Sequence, residues 1–177
     1  GANGTGRLTG ITDQSGTTTY SYDAHGRLLT KTQITKFNTL SFTQSLSYQY
    51  DAMGKLQQVT YPSGTQITTT YGADGRPSEL RINGNALISN ITYHPFGEPK
   101  SWVWGNGQAY TRSFDLDGRL KNHPTGSDTR TLNYDSASRI TQTADTNPIY
   151  NRSFDYDVNN RLTNQSDNTS FKIWSYD

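Results

Sequence analysis

Along the whole chain, runs of five to eight residues rich in Thr, Tyr, Ile, Val and Leu alternate with polar positions and are cut by short clusters of turn-forming residues. The cuts fall at Gln14-Ser15-Gly16, Pro62-Ser63-Gly64, Asn83-Gly84, Gly105-Asn106-Gly107, Pro124-Thr125-Gly126 and Asn147-Pro148. A period of two bounded by such clusters predicts half-buried β-strands joined by tight turns. No stretch carries the 3.6-residue period of an amphipathic helix.

A second kind of turn lies between these cuts, and it is nearly the same each time. It reads Tyr22-Asp23-Ala24-His25-Gly26-Arg27-Leu28, then Tyr50-Asp51-Ala52-Met53-Gly54-Lys55-Leu56, then Tyr71-Gly72-Ala73-Asp74-Gly75-Arg76-Pro77. Looser copies come after these, from Tyr93 to Pro99, from Phe114, Asp115, Gly118, Arg119 and Leu120, from Tyr134, Asp135 and Arg139, and from Tyr156, Asp157, Arg161 and Leu162. A partial copy, Gly6-Arg7-Leu8, stands near the start, and Tyr176-Asp177 stands at the end. Aromatic to aromatic, the steps are 28, 21, 22, 21, 20 and 22 residues, then 20 to Tyr176. A period of this length marks a repeat array. The expected organisation is one array of about eight repeats over 1–177, truncated at both ends, with an insertion near 30–47 that lengthens a pair of strands or forms a protruding loop.

The phrase has a preferred geometry. With a three-residue loop, Ala24-His25-Gly26, the glycine takes the positive φ that closes the turn, Asp23 faces Arg27, and Tyr22 faces Leu28. A two-residue loop would oppose Tyr to Arg and Asp to Gly. Where the glycine is replaced it becomes Asn160, which tolerates positive φ well, or Ser138, which does not. His94 and Glu98 exchange the sign of the Asp and Arg positions. The recurring aromatic, the residue two before it and the residue after the Arg should share one face as an apolar ladder, and Thr, Ser, Asn and Gln should fill the other. At about 4.8 Å per strand, eight such units extend a single antiparallel sheet by roughly 75 Å, and accumulated twist should curl it into a ribbon with an unpaired edge at either end. Those edges invite edge-to-edge self-association of the fragment.

Composition changes the picture in one respect. Hydrophobic residues make up 31% of the 177 positions, and the mean hydropathy is −0.84, too low for one thick core. A formal charge of only +1 and 12% aromatic residues nonetheless argue against disorder and for a thin, strand-rich structure. The absence of cysteine removes disulfides and thiolate metal sites, no apolar run is long enough for a membrane span, and the evenly spread Lys and Arg form no patch for nucleic acid.

The phrase Tyr-Asp-x-x-Gly-Arg-Leu at this spacing resembles the YD repeat of the Rhs (rearrangement hotspot) proteins, the TcB/TcC toxin-complex components and the teneurins. The resemblance covers essentially the entire chain. It implies an all-β antiparallel hairpin strip that forms part of a hollow shell, with flanking YD repeats and an enclosed C-terminal toxin as partners and a secreted or cell-surface bacterial setting. It implies no cofactor and no catalysis by the repeats. The closing aspartyl-protease segment of Rhs and Tc shells has no counterpart here, so protease activity is not carried over.

Candidate chemistry is sparse. Asp23, Asp51, Asp115, Asp135 and Asp157 recur from hairpin to hairpin, which suits turn pairing and not a single catalytic constellation. His25, His94 and His123 sit in predicted turns at unrelated positions, without the clustered ligands of a metal site. Trp102 and Trp104 share one face of a strand beside a turn, where exposed indoles would stack on sugar rings and buried ones would pack against the next hairpin. A carbohydrate- or protein-binding surface array is therefore the alternative to the shell. The Asn-x-Ser/Thr sequons at Asn90, Asn151, Asn164 and Asn168 are expected by chance in so Asn- and Thr-rich a chain.

Overall fold

The computed structural model describes residues 3–95, 97–167 and 169–176. Gly1, Phe96 of the fourth phrase, the Asn168 sequon and the closing Asp177 lie outside the described residues. The described chain is all-β with strictly antiparallel pairing, apart from one 3-10 turn at Pro148–Tyr150. It divides into two compact units, 1–90 and 91–177.

In the first unit every strand pairs with the next in sequence: β1 (Gly10–Asp13), β2 (Gly16–Tyr22), β3 (Leu28–Phe37), β4 (Leu40–Tyr50), β5 (Leu56–Thr60), β6 (Gln66–Tyr71), β7 (Pro77–Ile82) and β8 (Asn85–Tyr93), whose end passes residue 90. The second unit continues with β9 (Pro99–Trp104) and β10 (Ala109–Thr111), then β11 (Ser113–Phe114), β12 (Leu120–Thr125), β13 (Asp128–Tyr134), β14 (Ile140–Asp145), β15 (Arg152–Tyr156), β16 (Leu162–Ser166) and β17 (Phe171–Ile173). The sequence segment 30–47 forms most of the two longest strands, β3 and β4, which close on the two-residue turn Asn38-Thr39.

Among the described residues no hydrophobic side chain is fully buried. Each sheet is one layer thick, and its apolar ladder is only half-covered, by neighbours on its own face. In the first unit that ladder runs Tyr48, Val59, Ile67 and Ile82 across four strands in direct register. On the opposite face, hydroxyls pair across the strands, as in Ser21–Thr30 (2.6 Å), Thr32–Ser45 (2.9 Å) and Thr92–Ser101 (2.7 Å). The one buried charged residue among those described is Asp145, its side chain 1% exposed, held by the Arg130 guanidinium at 2.9 Å and by its own backbone N–H donating to Asn151 Oδ1 at 2.7 Å. These bonds tie down the β14–β15 connection where the 3-10 turn interrupts the hairpin pattern.

The expected single sheet is divided, and a proline stands at the division. Within the second unit β10 pairs only with β9, and β11 only with β12. Extending the Ser113–Asn122 register by two places sets Thr111 against Pro124, which has no N–H to give to the Thr111 carbonyl. Arg112 N–H faces the other neighbour and donates to Lys100 O at 2.8 Å, as Tyr20 N–H does to Thr9 O within unbroken β2. Four buried side-chain atoms lack a partner among the described residues, Trp102 Nε1, Arg112 Nε, Ser113 Oγ and Asn122 Oδ1, and all belong to strands that meet at this break or to the residue between them.

Replacing Pro124 by Val should rejoin the strands. The new amide is expected to exchange with solvent at least about tenfold more slowly than the amide of an open sheet edge, as read by hydrogen exchange. Fast exchange of the amide introduced at position 124 would mean that the missing donor is not what parts β10 from β12.

Candidate functional site

The recurring phrase is where the sequence concentrates its specialised residues, and the Asp–Arg copies fold alike. Asp23 N–H donates to Arg27 O (2.9 Å) and Gly26 N–H to Asp23 O (3.0 Å), closing a three-residue loop, while Tyr22 stands opposite Leu28. The Asp23 carboxylate fills the loop: Oδ1 accepts from the backbone N–H of His25 and of Arg27, both at 2.9 Å, and Oδ2 accepts from Arg27 Nε at 2.6 Å. The same bonds recur at Asp115–Arg119, Asp135–Arg139 and Asp157–Arg161. In the third copy Gly72 has no carboxylate, and Asp74 takes its place from within the loop, bonding Arg76 N–H and Nε at 3.0 and 2.7 Å.

These bonds hold the carboxyls of Asp135 and Asp157 below the usual 3.8, through the backbone N–H of Arg139 and Arg161 first and their guanidinium groups besides. At Asp23 and Asp115 partial desolvation is the largest single influence and acts upward, but the bonds from Arg27 and Arg119 outweigh it and the net shift is again downward.

What joins one repeat to the next is a second set of contacts from the same residues. The hydroxyls of six phrase tyrosines donate to the carbonyl of the residue after the Arg or Lys one repeat earlier: Tyr22 to Leu8 (2.6 Å), Tyr50 to Leu28 (2.9 Å), Tyr71 to Leu56 (2.7 Å), Tyr134 to Leu120 (2.7 Å), Tyr156 to Ile140 (2.8 Å) and Tyr176 to Leu162 (2.8 Å). The cation of the earlier repeat lies over the same ring, with Arg27 4.6 Å from the Tyr50 centroid, Arg119 4.7 Å from Tyr134, Arg139 4.9 Å from Tyr156 and Arg161 4.6 Å from Tyr176. The guanidinium thus spans two repeats, its Nε edge on its own Asp and its plane on the next Tyr. Lys55 has a single point of charge and commits it forward, over Tyr71 and onto Gly75 O at 2.7 Å.

The glycine of the phrase serves this lock as well as the turn. Gly26 has φ +79, and a Cβ there would collide with the Arg7 guanidinium lying against it; Gly75 stands the same way to Lys55. Where a side chain replaces the glycine it becomes a ligand of the arriving cation, Arg119 donating to Ser138 Oγ (3.0 Å) and Arg139 to Asn160 Oδ1 (2.9 Å). Ser138 takes φ +63 despite its poor tolerance of that region. The fifth phrase departs from the lock, because Phe114 has no hydroxyl; its ring packs against His94, centroids 4.5 Å apart.

Trp102 stacks on Tyr110 with centroids 4.3 Å apart and planes 18° from parallel, and the Arg112 guanidinium lies 5.0 Å from its ring centre. One face of Trp102 is therefore taken by packing. Trp104 stands edge-on to both rings and is 40% exposed. Among the described residues no three His, Asp or Glu side chains gather to hold a metal ion.

Two measurements test the lock. Tyr156→Phe removes only the hydroxyl and leaves the Ile140 carbonyl without its donor; a loss of about 1 kcal/mol in urea unfolding is expected. An unchanged midpoint would reduce that bond to decoration. For pH, a folded-state pKa below 3.8 means that the turn carboxylates contribute stability in full above that value and lose it as pH falls through the lower folded values. The unfolding midpoint should hold steady down to about pH 4.5 and drop below about pH 3.8, and an Asp135→Asn, Asp157→Asn variant should show a smaller drop.

The RHS Repeat family model matches residues 3–39 and 33–66. Double-stranded DNA deaminase toxin A of Burkholderia cenocepacia (strain H111) is 29% identical over 140 residues, which is 78% of this chain and 9% of that protein. Among solved structures, TcdB2-TccC3 without its hypervariable C-terminal region superposes with a TM-score of 0.80 at 15% identity, and the Photorhabdus luminescens Tc holotoxin pore carrying a TccC3 mutation superposes at 0.79 and 16%; each match covers 90% of this chain and 9% of the other. The chain thus spans about a tenth of the length of the relatives it matches. The chain thus carries RHS repeats over residues 3–66, the interlocked phrase recurs as far as Tyr176, and the fold is that of these solved structures.

Proposed function

We propose that the chain is a non-enzymatic section of the wall of an Rhs shell, and that the parent protein uses this wall to enclose a C-terminal toxic polypeptide for delivery outside the cell. The observation that carries the reading is the lock itself. Nearly every specialised side chain of the phrase is used to hold one hairpin to the next, which is the work of a wall and leaves those side chains committed to neighbours instead of to a substrate. Two of the similar proteins suit this reading: one bears a toxin's name, and TcdB2-TccC3 was crystallised without a hypervariable C-terminal region.

The array of about eight repeats then contributes one stretch of the enclosure, and flanking repeats continue it on either side. The exposed Trp104 is the one feature that favours a surface-binding array instead. Binding to a glycan array that disappears in Trp104→Ala would support that second reading.

The shell reading is tested on the parent polypeptide. With the downstream sequence attached, the C-terminal segment should survive protease concentrations that digest the same segment expressed alone. Digestion at equal rates would remove the proposal.

A further inference from the structure

The 28-residue step leaves β3 and β4 out of scale with the strands after them, 10 and 11 residues against 5 in β5 and 6 in β6. On one side β2 accompanies β3 as far as Thr35, and Lys36 N–H still reaches Ser15 O at 2.8 Å. On the other side β5 meets β4 only from Ser47 to Tyr50, because the chain turns away at Tyr61-Pro62-Ser63-Gly64. Leu40 to Leu46 is therefore an open edge inside the array, with no strand beside it among the described residues.

Its backbone parity is set by the turn. Phe37 and Leu40 close a two-residue loop as a hydrogen-bonded pair, so Leu40, Phe42, Gln44 and Leu46 bond β3, and Ser41, Thr43 and Ser45 direct N–H and C=O outward. Open edges are ordinarily blunted by charge, proline or a bulge. From Leu40 to Leu46 there is no charge and no proline, and the register with β3 is unbroken.

We infer that this edge pairs with the same edge of a second copy of the chain, antiparallel about Thr43. In that register Ser41 meets Ser45 of the second copy, and Thr43 meets its own counterpart. On the other face Leu40 meets Leu46, and Phe42 lies beside Gln44. Hydroxyls thus face hydroxyls and leucine faces leucine, and Leu40 and Phe42, 58% and 56% exposed in the single chain, lose part of their contact with water. A two-fold axis through one residue makes the segment its own complement, so no other partner is needed.

The 177-residue chain should be a mixture of monomer and dimer by light scattering, with the dimer growing between about 10 and 300 µM. Thr43→Pro removes the central outward N–H and none of the bonds to β3; it should weaken association by about tenfold or more. Ser41→Lys, placed on the rim of the same edge, should do so as well, which keeps the idea testable should the proline disturb the hairpin. Because the chain has no cysteine, Thr43→Cys gives a positional readout. It should form an intermolecular disulfide faster than the exposed turn variant Ser136→Cys. A chain monomeric throughout that range, association indifferent to both edge substitutions, or a thiol at position 43 that oxidises no faster than one at position 136 would each overturn the inference.

Discussion

The tyrosine–arginine lock between successive hairpins is the contact on which the rest of this structure depends. A single layer of sheet has no second layer to bury its apolar face, and no hydrophobic side chain among the described residues is fully buried. Backbone ladders alone hold strands in order but leave a sheet free to slip. The ring of Tyr50, Tyr134, Tyr156 or Tyr176 is fixed in two directions at once, by its hydroxyl on a carbonyl one repeat back and by a cation above its face. The guanidinium that supplies the cation is itself fixed, because its Asp has already been oriented by two backbone N–H groups of the turn. Turn, ion pair and inter-repeat contact are therefore one assembly, and each repeat presents its neighbour with a surface that is already rigid.

The place where this assembly lapses is also where the sheet comes apart. The fourth phrase has Glu98 where others have Arg or Lys, the fifth has Phe114 where others have Tyr, and Pro124 comes next in β12. Lock and ladder are lost within one repeat's length of each other. Trp102, Trp104, Tyr110 and Arg112 gather beside the break and replace the periodic contacts with a local aromatic cluster. The Arg130–Asp145 pair does the same where the 3-10 turn interrupts the second unit.

Much of this was legible in the sequence, for identifiable reasons. Strand alternation and two classes of turn pointed to the all-β meander, and the four-residue spacing of Asp23 and Arg27 around a glycine is compatible with only one loop length if both charges are to meet. The backward reach of the tyrosine hydroxyl was not legible, because it ends on a backbone carbonyl, which carries no mark in a sequence. Its signal is indirect: Tyr is kept where Phe would serve an apolar ladder equally well. Pro124 read as part of a turn cluster, and only the register showed that it faces a strand across which a donor is needed. Asp74 and Lys55 also required coordinates, since each is a substitution that rebuilds half of the lock from a different position.

The lock reaches one repeat back and no further, and this bears on how such a chain can change over time. A protein with a shared core must readjust many positions when a segment is gained or lost. Here the joint at most hairpins is made from the same few side chains, so a crossover between two copies of the phrase leaves a joint of standard form. The 28-residue step shows that a unit of different length can be set into the array while the Tyr50 lock onto Leu28 and Arg27 is kept. The length of the array becomes a quantity that recombination adjusts in units of about twenty-one residues.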